Sequence, residues 1–257
     1  GISGLYAAEL AAQTNLKVLL LEQKPQLGGE INIRTKAKNF STKLFNEIYS
    51  NLKKYPNVKI VKDTCVFAYM HHNYLLACQK LNNANIRQII WKIRSKKVIL
   101  ATGSIERPLT FHNNDRPGIM LSHSARYYAN RNANLGKNIV LFTNNDYAYQ
   151  VAIDFINLNS LNKVVVIDLR NNSNGDLVKE AKSLGIKILF NHIITNTIGR
   201  KKINSVFVHK IDKKTNEIIK FYGKISCDLL CVSGGWTPTV HLFTQSRGKL
   251  IYRESDA

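Results

Sequence analysis

The apolar positions near the start of the chain follow two periods in turn. From Leu5 to Ala12 they recur at helical spacing, and residues 17–22 then form a buried-strand run that ends in an acid. Residues 41–55 again have one apolar helical face, and residues 58–61 read as a short strand. This order predicts the later part of a strand–turn–helix–strand unit, followed by a second helix and strand.

Residues 64–94 alternate in a different way. Strand-like runs at 65–70, 74–78 and 86–93 are separated by polar turns, which predicts a β-meander at about 64–94. The apolar run at 97–100 is interpreted as another buried strand, and it leads directly into Ala101-Thr102-Gly103. Small residues at the end of a strand would allow a ligand to lie against the backbone.

Strands and helices alternate regularly after residue 115. Such alternation predicts βαβ units and a parallel sheet. The predicted strands are at 138–142, 164–168, 186–190 and 228–232, the helices at 146–158 and 176–184, and further β structure at 203–222.

Together these patterns predict an α/β fold of two Rossmann-like parts, one inserted into the other. We expect a first dinucleotide-binding domain at 1–114, without its N-terminal strand and including the β-meander. A second Rossmann-like domain with altered glycines is expected at 115–225, and a truncated return to the first domain at 226–257.

Charge adds little to this picture. The net charge is 37 − 17 = +20, but the basic residues are scattered along the 257 positions, so a nucleic-acid partner is not expected and solvated basic surface is the simpler interpretation. No apolar run approaches the roughly 18 residues of a membrane span, and no signal-peptide pattern is present, so we expect a cytoplasmic protein without membrane contact. The four cysteines include no CxxC pair, which disfavours a structural zinc site and a disulfide framework.

The opening residues carry the first chemical signal. Gly1 and Gly4 match the second and third glycines of the G-x-G-x-x-G dinucleotide fingerprint, so we expect a fragment cut inside that motif. Gly1 would let the backbone approach a pyrophosphate, and the helix N-terminus, including Ser3, would face the phosphates. Glu22 follows at the distance expected for an acid that accepts hydrogen bonds from ribose hydroxyls, which favours NAD or FAD over NADP.

Half a fingerprint also fits an ordinary glycine loop before a helix, but a second glycine signal follows. Gly28-Gly29 comes shortly after Glu22 and would bring another stretch of backbone to the cofactor. The predicted cofactor-binding residues are Gly1, Ser3, Gly4, Glu22, Gln23, Gly28, Gly29, Ala101, Thr102 and Gly103.

The corresponding turn of the second part has lost its glycines. Thr143 and Asn145 stand where the first two glycines would be, and only Ala148 fits the motif. We expect Asp146 to cap the following helix and to place a negative charge where an anion would sit. The second part is therefore predicted to be a scaffold that binds no nucleotide.

No catalytic or metal-binding residue is predicted. His71-His72 reads as a surface turn, and Ser122 is expected to cap a helix at 125–130. Cys227 and Cys231 would lie on one face of a strand, roughly 13 Å apart, too far to form a disulfide, and are interpreted as buried structural cysteines.

In this order the motifs resemble the two-dinucleotide-binding-domain flavoproteins, the superfamily of glutathione and thioredoxin reductases. Three segments are more particular: residues 101–109, the Asn-Asn-Asp turn within 142–149, and 227–238 with Ser-Gly-Gly-Trp. With residues 240–246 they are similar to the alpha subunits of heterotetrameric sarcosine oxidases. The resemblance covers essentially the whole chain.

The resemblance implies oxidative demethylation of sarcosine to glycine, with a one-carbon unit passed to folate and peroxide released. It implies NAD in the first site, with FAD as the alternative. It also implies a beta partner that carries FAD and binds the amine, further subunits, FMN at the junction of alpha and beta, and a fragment inactive alone. Related proline, opine or glycine dehydrogenase complexes share such a subunit. Outside the enzymes, the alternative function is that of a basic scaffold without a cofactor.

Overall fold

The chain forms two compact units in the computed structural model. The structure describes residues 1–33, 40–212, 214–215 and 217–253. One unit comprises Gly1–Ser104 with Pro238–Ala257, and the other comprises Ile105–Thr237. Within the described ranges no helix is both long and apolar enough to cross a bilayer.

The first unit combines a small α/β layer with an antiparallel sheet. Its elements are α1 (Ile2–Gln13), β1 (Val18–Leu21), α2 (Phe40–Leu52), β2 (Val58–Val61), β3 (Thr64–Met70), β4 (Tyr74–Lys80) and β5 (Gln88–Arg94). Strands β1 and β2 pair in parallel, and β3, β4 and β5 form the expected meander. Burial of apolar residues from both helices holds the layer together, with Leu5, Ala8, Ile48 and Leu52 at its centre.

The second unit is built around a five-stranded parallel sheet. Its elements in chain order are β6 (Ser104–Glu106), β7 (Ile119–Leu121), α3 (Ser122–Ala129), β8 (Asn138–Thr143), α4 (Tyr147–Leu158), β9 (Lys163–Asp168), α5 (Asp176–Ser183), β10 (Lys187–Phe190), β11 (His192–Ile198), β12 (Ser205–Ile211), β13 (Ile218–Ser226), β14 (Leu229–Ser233) and β15 (Trp236–Pro238). The strand order is β10-β9-β8-β14-β7. A further helix, α6 (His241–Gln245), follows in the first unit.

Both faces of the parallel sheet are covered, which explains why the inner residues of its strands are apolar. One face packs against α4 and α5, with Ile139, Leu141 and Val166 buried there. The other face packs against the antiparallel sheet β11-β12-β13, through residues such as Val206 and Val208.

Strand β13 is the outer strand of that antiparallel sheet. It pairs with β12 on one side, and no described strand pairs with its other side. Apolar side chains on it are exposed to solvent, namely Ile218, Ile219, Phe221 and Tyr222. Lys220 lies between the two apolar pairs, and Lys224 follows them on the same strand.

The unit boundaries differ from the predicted 114/115 and 225/226. They lie at 104/105 and 237/238, because segments that flank the expected insertion are bonded into the second unit. The Arg107 N–H donates to the carbonyl of Gly235 at 2.8 Å, and that of His112 to the carbonyl of Thr195 at 2.9 Å. Strand β14 pairs with β8 and β7, so it is an interior strand of the second unit's sheet.

Residues 97–100 and Ser122 differ from their predictions. Residues 97–100 are not a strand, and Ile99 is 69% exposed; no described strand pairs with them, so the ladder hydrogen bonds that define a strand are not formed. Ser122 does not cap a helix. It begins α3 rather than preceding it, and its hydroxyl is buried without a hydrogen bond among the described atoms.

Candidate cofactor site

The N-terminus of α1 presents free backbone donors. The helix begins directly after Gly1, and the Leu5 N–H donates to the Gly1 carbonyl at 3.1 Å, which closes the first turn. No acidic residue lies in that turn. The unpaired N–H groups and the helix dipole therefore make this end electropositive, as an anion site requires. Ser3 lies in the same turn and is exposed.

Gly1 and Gly29 bring two stretches of backbone together. Gly29 has a φ of +58°, and a Cβ added there would lie 3.0 Å from the Cα of Gly1. A Cβ added at Gly1 would meet nothing within 4 Å. The backbone of Gly1 is thus supported on one side by Gly29 and open on the other, so a ligand has room to approach it. Gly28, also at positive φ, is buried beside it.

A glycine is needed at position 4 for the packing of α1 rather than for the approach of a ligand. A Cβ there would lie 3.3 Å from the Cβ of Ala101 and 4.0 Å from Cδ1 of Leu20. The helix can therefore lie close to β1 and to the 101–103 segment only while this residue has no side chain. This is the packing role that the fingerprint gives its third glycine.

Glu22 lies beside the helix start. Its Oε2 is 3.2 Å from the nitrogen of Gly1, and its Oε1 accepts a hydrogen bond from the Lys24 N–H at 3.1 Å. Its backbone N–H donates to the carbonyl of Val61 at 3.0 Å, and its carbonyl accepts from the Thr64 N–H at 2.9 Å. The carboxylate is therefore fixed next to the open face of Gly1, with its side chain 14% exposed.

The 101–103 segment is joined to the returning chain. The Thr102 hydroxyl donates to the carbonyl of Thr239 at 2.7 Å, and the Thr239 N–H donates to the carbonyl of Gly103 at 2.9 Å. Sequence reasoning missed Thr239, because nothing in a Thr-Pro-Thr stretch marks a partner some 137 positions away. Gln23 is exposed, and it is not drawn into these contacts among the described residues.

The structure thus brings most of the predicted residues together. Gly1 contacts Glu22 directly, Gly29 lies beside the Cα of Gly1, and Gly4 lies beside Ala101. Thr102 and Gly103 follow Ala101 directly in the chain.

The matching turn of the second unit is closed by its own side chains. The Asn145 amide donates to the carbonyl of Ser233 at 3.0 Å and to its hydroxyl at 3.2 Å, which ties the end of β8 to the end of β14. The Thr143 hydroxyl accepts from the Asn145 N–H at 3.0 Å. In open α/β sheets the crevice at the carboxyl ends of the strands is where ligands bind, and here side chains occupy it.

Asp146 does not cap α4 as predicted. The Oδ1 of Asn145 accepts from the Tyr147 N–H at 3.1 Å instead, and Asp146 forms an ion pair with Arg170 at 2.8 Å and accepts from the Ser173 hydroxyl at 3.1 Å. The sequence could not show this, because Arg170 lies beyond the next strand. The negative charge at this turn is therefore balanced by a guanidinium.

Asp168, at the end of β9, corresponds in position to Glu22 at the end of β1, but it is engaged internally. It is fully buried, accepts from the Tyr149 hydroxyl at 2.6 Å and pairs with Arg170 at 2.8 Å. Burial alone would lower the pKa of Arg170, but its bonds to Asp168 and Asp146 raise it. Burial and the Asp168 bond raise the pKa of Tyr149. Among the described residues around this strand end, no free carboxylate remains for a ribose.

The buried cysteines differ from the prediction in one respect. Cys227 packs into the cluster with Leu230, whereas Cys231 packs with Leu229 on the opposite face of the sheet. The reason is that β14 begins only at Leu229, so Cys227 does not follow its alternation. Burial, with a smaller effect of Asp228, raises the pKa of Cys227 to about 12, as suits a structural thiol.

The family of the chain follows from this arrangement and from its sequence relatives. The model of the family "Pyridine nucleotide-disulphide oxidoreductase" matches residues 1–254. The chain belongs to this family. Solved structures share the fold: thioredoxin reductase of T. acidophilum superposes with a TM-score of 0.71 at 19% identity, covering 99% of this chain and 80% of that one. The predicted Rossmann-like α/β class is confirmed.

Within the family the most informative relatives are sarcosine oxidase alpha subunits. The chain is 32% identical to that of Corynebacterium sp. (strain U-96) over 99% of its own length and 27% of the relative's. It is 26% identical to that of Rhizobium meliloti (strain 1021), over 100% of its own length and 26% of the relative's. The predicted resemblance is confirmed, and the chain spans about a quarter of these relatives. The L-proline dehydrogenase of P. horikoshii shares the fold, with a TM-score of 0.64 at 23% identity over 98% of this chain and 44% of that one.

Proposed function

We propose that the first unit binds one dinucleotide, NAD, with FAD as the alternative, at the cradle formed by Gly1, Gly4, Glu22 and Gly29. The observation that carries the proposal is the open face of Gly1, which is backed by Gly29 and flanked by the Glu22 carboxylate. Pyrophosphate needs close backbone approach and N–H donors, and a ribose diol needs an acceptor. The residues present therefore fit the group.

Each residue of the cradle has a distinct task in this proposal. The N–H groups at the start of α1 hold the pyrophosphate, with Ser3 in the same turn. Glu22 accepts from the ribose hydroxyls, and its negative charge disfavours a 2′-phosphate. Ala101, Thr102 and Gly103 offer backbone to the far part of the ligand, and Gln23, Gly28 and Gly29 border it. Such a bound dinucleotide would supply hydride chemistry.

We further propose that the chain belongs to a subunit of a sarcosine oxidase type of amine oxidoreductase, acting in a hetero-oligomer. The alpha-subunit relatives at 26–32% identity support this proposal over a proline, opine or glycine dehydrogenase. The beta partner would carry FAD and bind the amine, and FMN would lie where alpha and beta meet. The residues of this chain then bind and position a nucleotide, while sarcosine is oxidised on the partner and peroxide is released.

The second unit is proposed to bind no nucleotide and to act as scaffold. Asn145 fills the turn, Asp168 is buried in its own ion pair, and the charge of Asp146 is held by Arg170. A pyrophosphate would have to displace all three interactions without gaining a glycine-lined approach.

The first-site proposal is tested by titrating the full-length subunit with NAD, FAD and NADP. Glu22→Ala should weaken NAD binding by about ten- to a hundredfold, because a charge-assisted hydrogen bond is worth roughly 1.5–3 kcal/mol. The matched control is Glu47→Ala, which removes the same charge from an exposed position on α2 and should leave the affinity unchanged. Equal NAD affinity in the two variants would remove Glu22 from the site.

A further inference from the structure

Two cysteines lie directly opposite each other in the β-meander. Cys65 on β3 pairs in register with Cys78 on β4 in the antiparallel ladder. Just before β3, two residues ahead of Cys65, the Lys80 N–H donates to the carbonyl of Asp63 at 2.9 Å, so the Asp63–Lys80 pair is of the hydrogen-bonded type. Because pair types alternate along such a ladder, Cys65 and Cys78 form a hydrogen-bonded pair as well.

The Cα spacing of such a pair lies in the range of disulfides. Residues opposite each other in a hydrogen-bonded pair have Cα atoms about 5.5 Å apart, and disulfides span Cα separations of roughly 4.4–6.8 Å. Directly paired residues also project from the same face of the sheet. The Cβ atoms of such a pair are about 5.5 Å apart, whereas a disulfide needs roughly 3.5–4.5 Å, so the two strands must draw slightly together to close the bond. A bond closed in this way is strained and easily reduced. The 13-position separation in the sequence hides this juxtaposition, which appears only in the register.

Solvent reaches this face of the sheet. Cys65 is exposed, Cys78 is half-buried, and both thiols are free. Ile90, which pairs with Cys78 from β5, is 53% exposed, whereas Leu75 and Ala77 on the opposite face are buried. The Cys65 thiol lies 3.8 Å from the carbonyl oxygen of Val66, so it makes only a weak local contact that a rotation would release.

We propose that Cys65 and Cys78 form a reversible redox site that peroxide oxidises to a disulfide. The Cys65 thiol loses its proton and attacks one oxygen of hydrogen peroxide, the O–O bond breaks, and the leaving hydroxide takes up a proton, so that a sulfenic acid and water result. The Cys78 sulfur then attacks the sulfenic sulfur, an S–S bond forms, and a second water leaves. In sum, two thiols and one peroxide give one disulfide and two waters, and the two electrons pass from sulfur to peroxide.

The position of the pair links it to the cofactor-binding loop. Thr64, the residue before Cys65, donates its N–H to the carbonyl of Glu22 at 2.9 Å. A disulfide would fasten β4 to the first residues of β3, next to this bond. The site rests on strand register alone and does not require the proposed function, although that function would make peroxide available nearby.

The test uses the reduced full-length subunit treated with a small excess of hydrogen peroxide. Remaining thiols are alkylated under denaturing conditions, and the peptides are mapped by mass spectrometry without and with dithiothreitol. We expect a Cys65–Cys78 linked peptide about 2 Da lighter than the sum of its parts, which disappears on reduction. Cys227 and Cys231 serve as internal controls and should be recovered alkylated, because both are buried.

A variant separates the two chemical steps. In Cys78→Ser the resolving thiol is absent, so Cys65 should persist as a sulfenic acid that dimedone traps, and no linked peptide should form. The proposal is overturned if peroxide leaves both thiols of the wild type alkylatable, converts Cys65 to sulfinic acid while Cys78 stays reduced, or links either cysteine to a different one. None of these outcomes depends on whether NAD binds.

Discussion

Replacing Gly29 with alanine probes the cradle at its most crowded point. The residue has a φ of +58°, where a Cβ costs roughly 1–2 kcal/mol. The added carbon would also lie 3.0 Å from the Cα of Gly1, and because that atom is backbone, relief requires the helix start to shift, for a further ~1–3 kcal/mol. We expect Gly29→Ala to lower the free energy of unfolding by about 2–5 kcal/mol in all. Displacing even one pyrophosphate donor should weaken NAD binding on the order of tenfold.

Gly185→Ala is the matched control, because it separates conformation from crowding. Gly185 has a φ of +74°, and a Cβ there would meet nothing within 4 Å. This variant should lose only the roughly 1–2 kcal/mol of the left-handed conformation and bind NAD normally. Urea unfolding and NAD titration of both full-length variants measure the difference. If Gly29→Ala loses no more stability than Gly185→Ala and keeps its NAD affinity, the Gly1–Gly29 contact constrains neither the helix start nor the NAD site.

Three further predictions concern a buried hydroxyl, a buried thiol and the oxidation of sarcosine. Tyr149→Phe should lower the free energy of unfolding by about 1.5–3 kcal/mol in urea titrations, because the hydroxyl bonds a buried carboxylate; a loss below about 0.5 kcal/mol would contradict this. The pKa of Cys227 is raised in the folded state to about 12. The contribution of this thiol to the free energy of unfolding should therefore be constant below the unfolded thiol's pKa and fall as the pH rises from about 9 towards 12. Unfolding midpoints at pH 8 and 10 check this, and a Cys227→Ala variant with an unchanged pH dependence would speak against it. Finally, the full-length subunit without the proposed beta partner should release no peroxide from sarcosine; turnover comparable to that of the complex would place a catalytic site in this subunit itself.

Much of the fold could be predicted because its signals are local. The alternation of buried strands and amphipathic helices fixes β8, α4, β9, α5 and β10 to within a few residues. The run 97–100 carries the same apolar signal, yet whether it forms a strand depends on a neighbour that local sequence cannot show.

The residues of the candidate site could likewise be predicted only where their signals are local. The glycines and Glu22 could be placed because the fingerprint spacing encodes one turn and the end of one strand. The partners of Asp146 and Asp168 could not be predicted, because both carboxylates pair with the guanidinium of Arg170, which lies in the loop after β9. The pairing of Cys65 with Cys78 likewise needed the strand register.

The outer edge of β13 has a consequence for handling the isolated chain. An edge strand with exposed apolar side chains is a template for pairing with strands of other molecules, which leads to aggregation. Lys220 and Lys224 oppose this through charge, and their effect weakens as ionic strength rises. The protein should therefore stay dispersed in dilute buffer and lose solubility as salt is added. Its high net charge alone would suggest purification at high salt, and the edge of β13 argues for low salt instead.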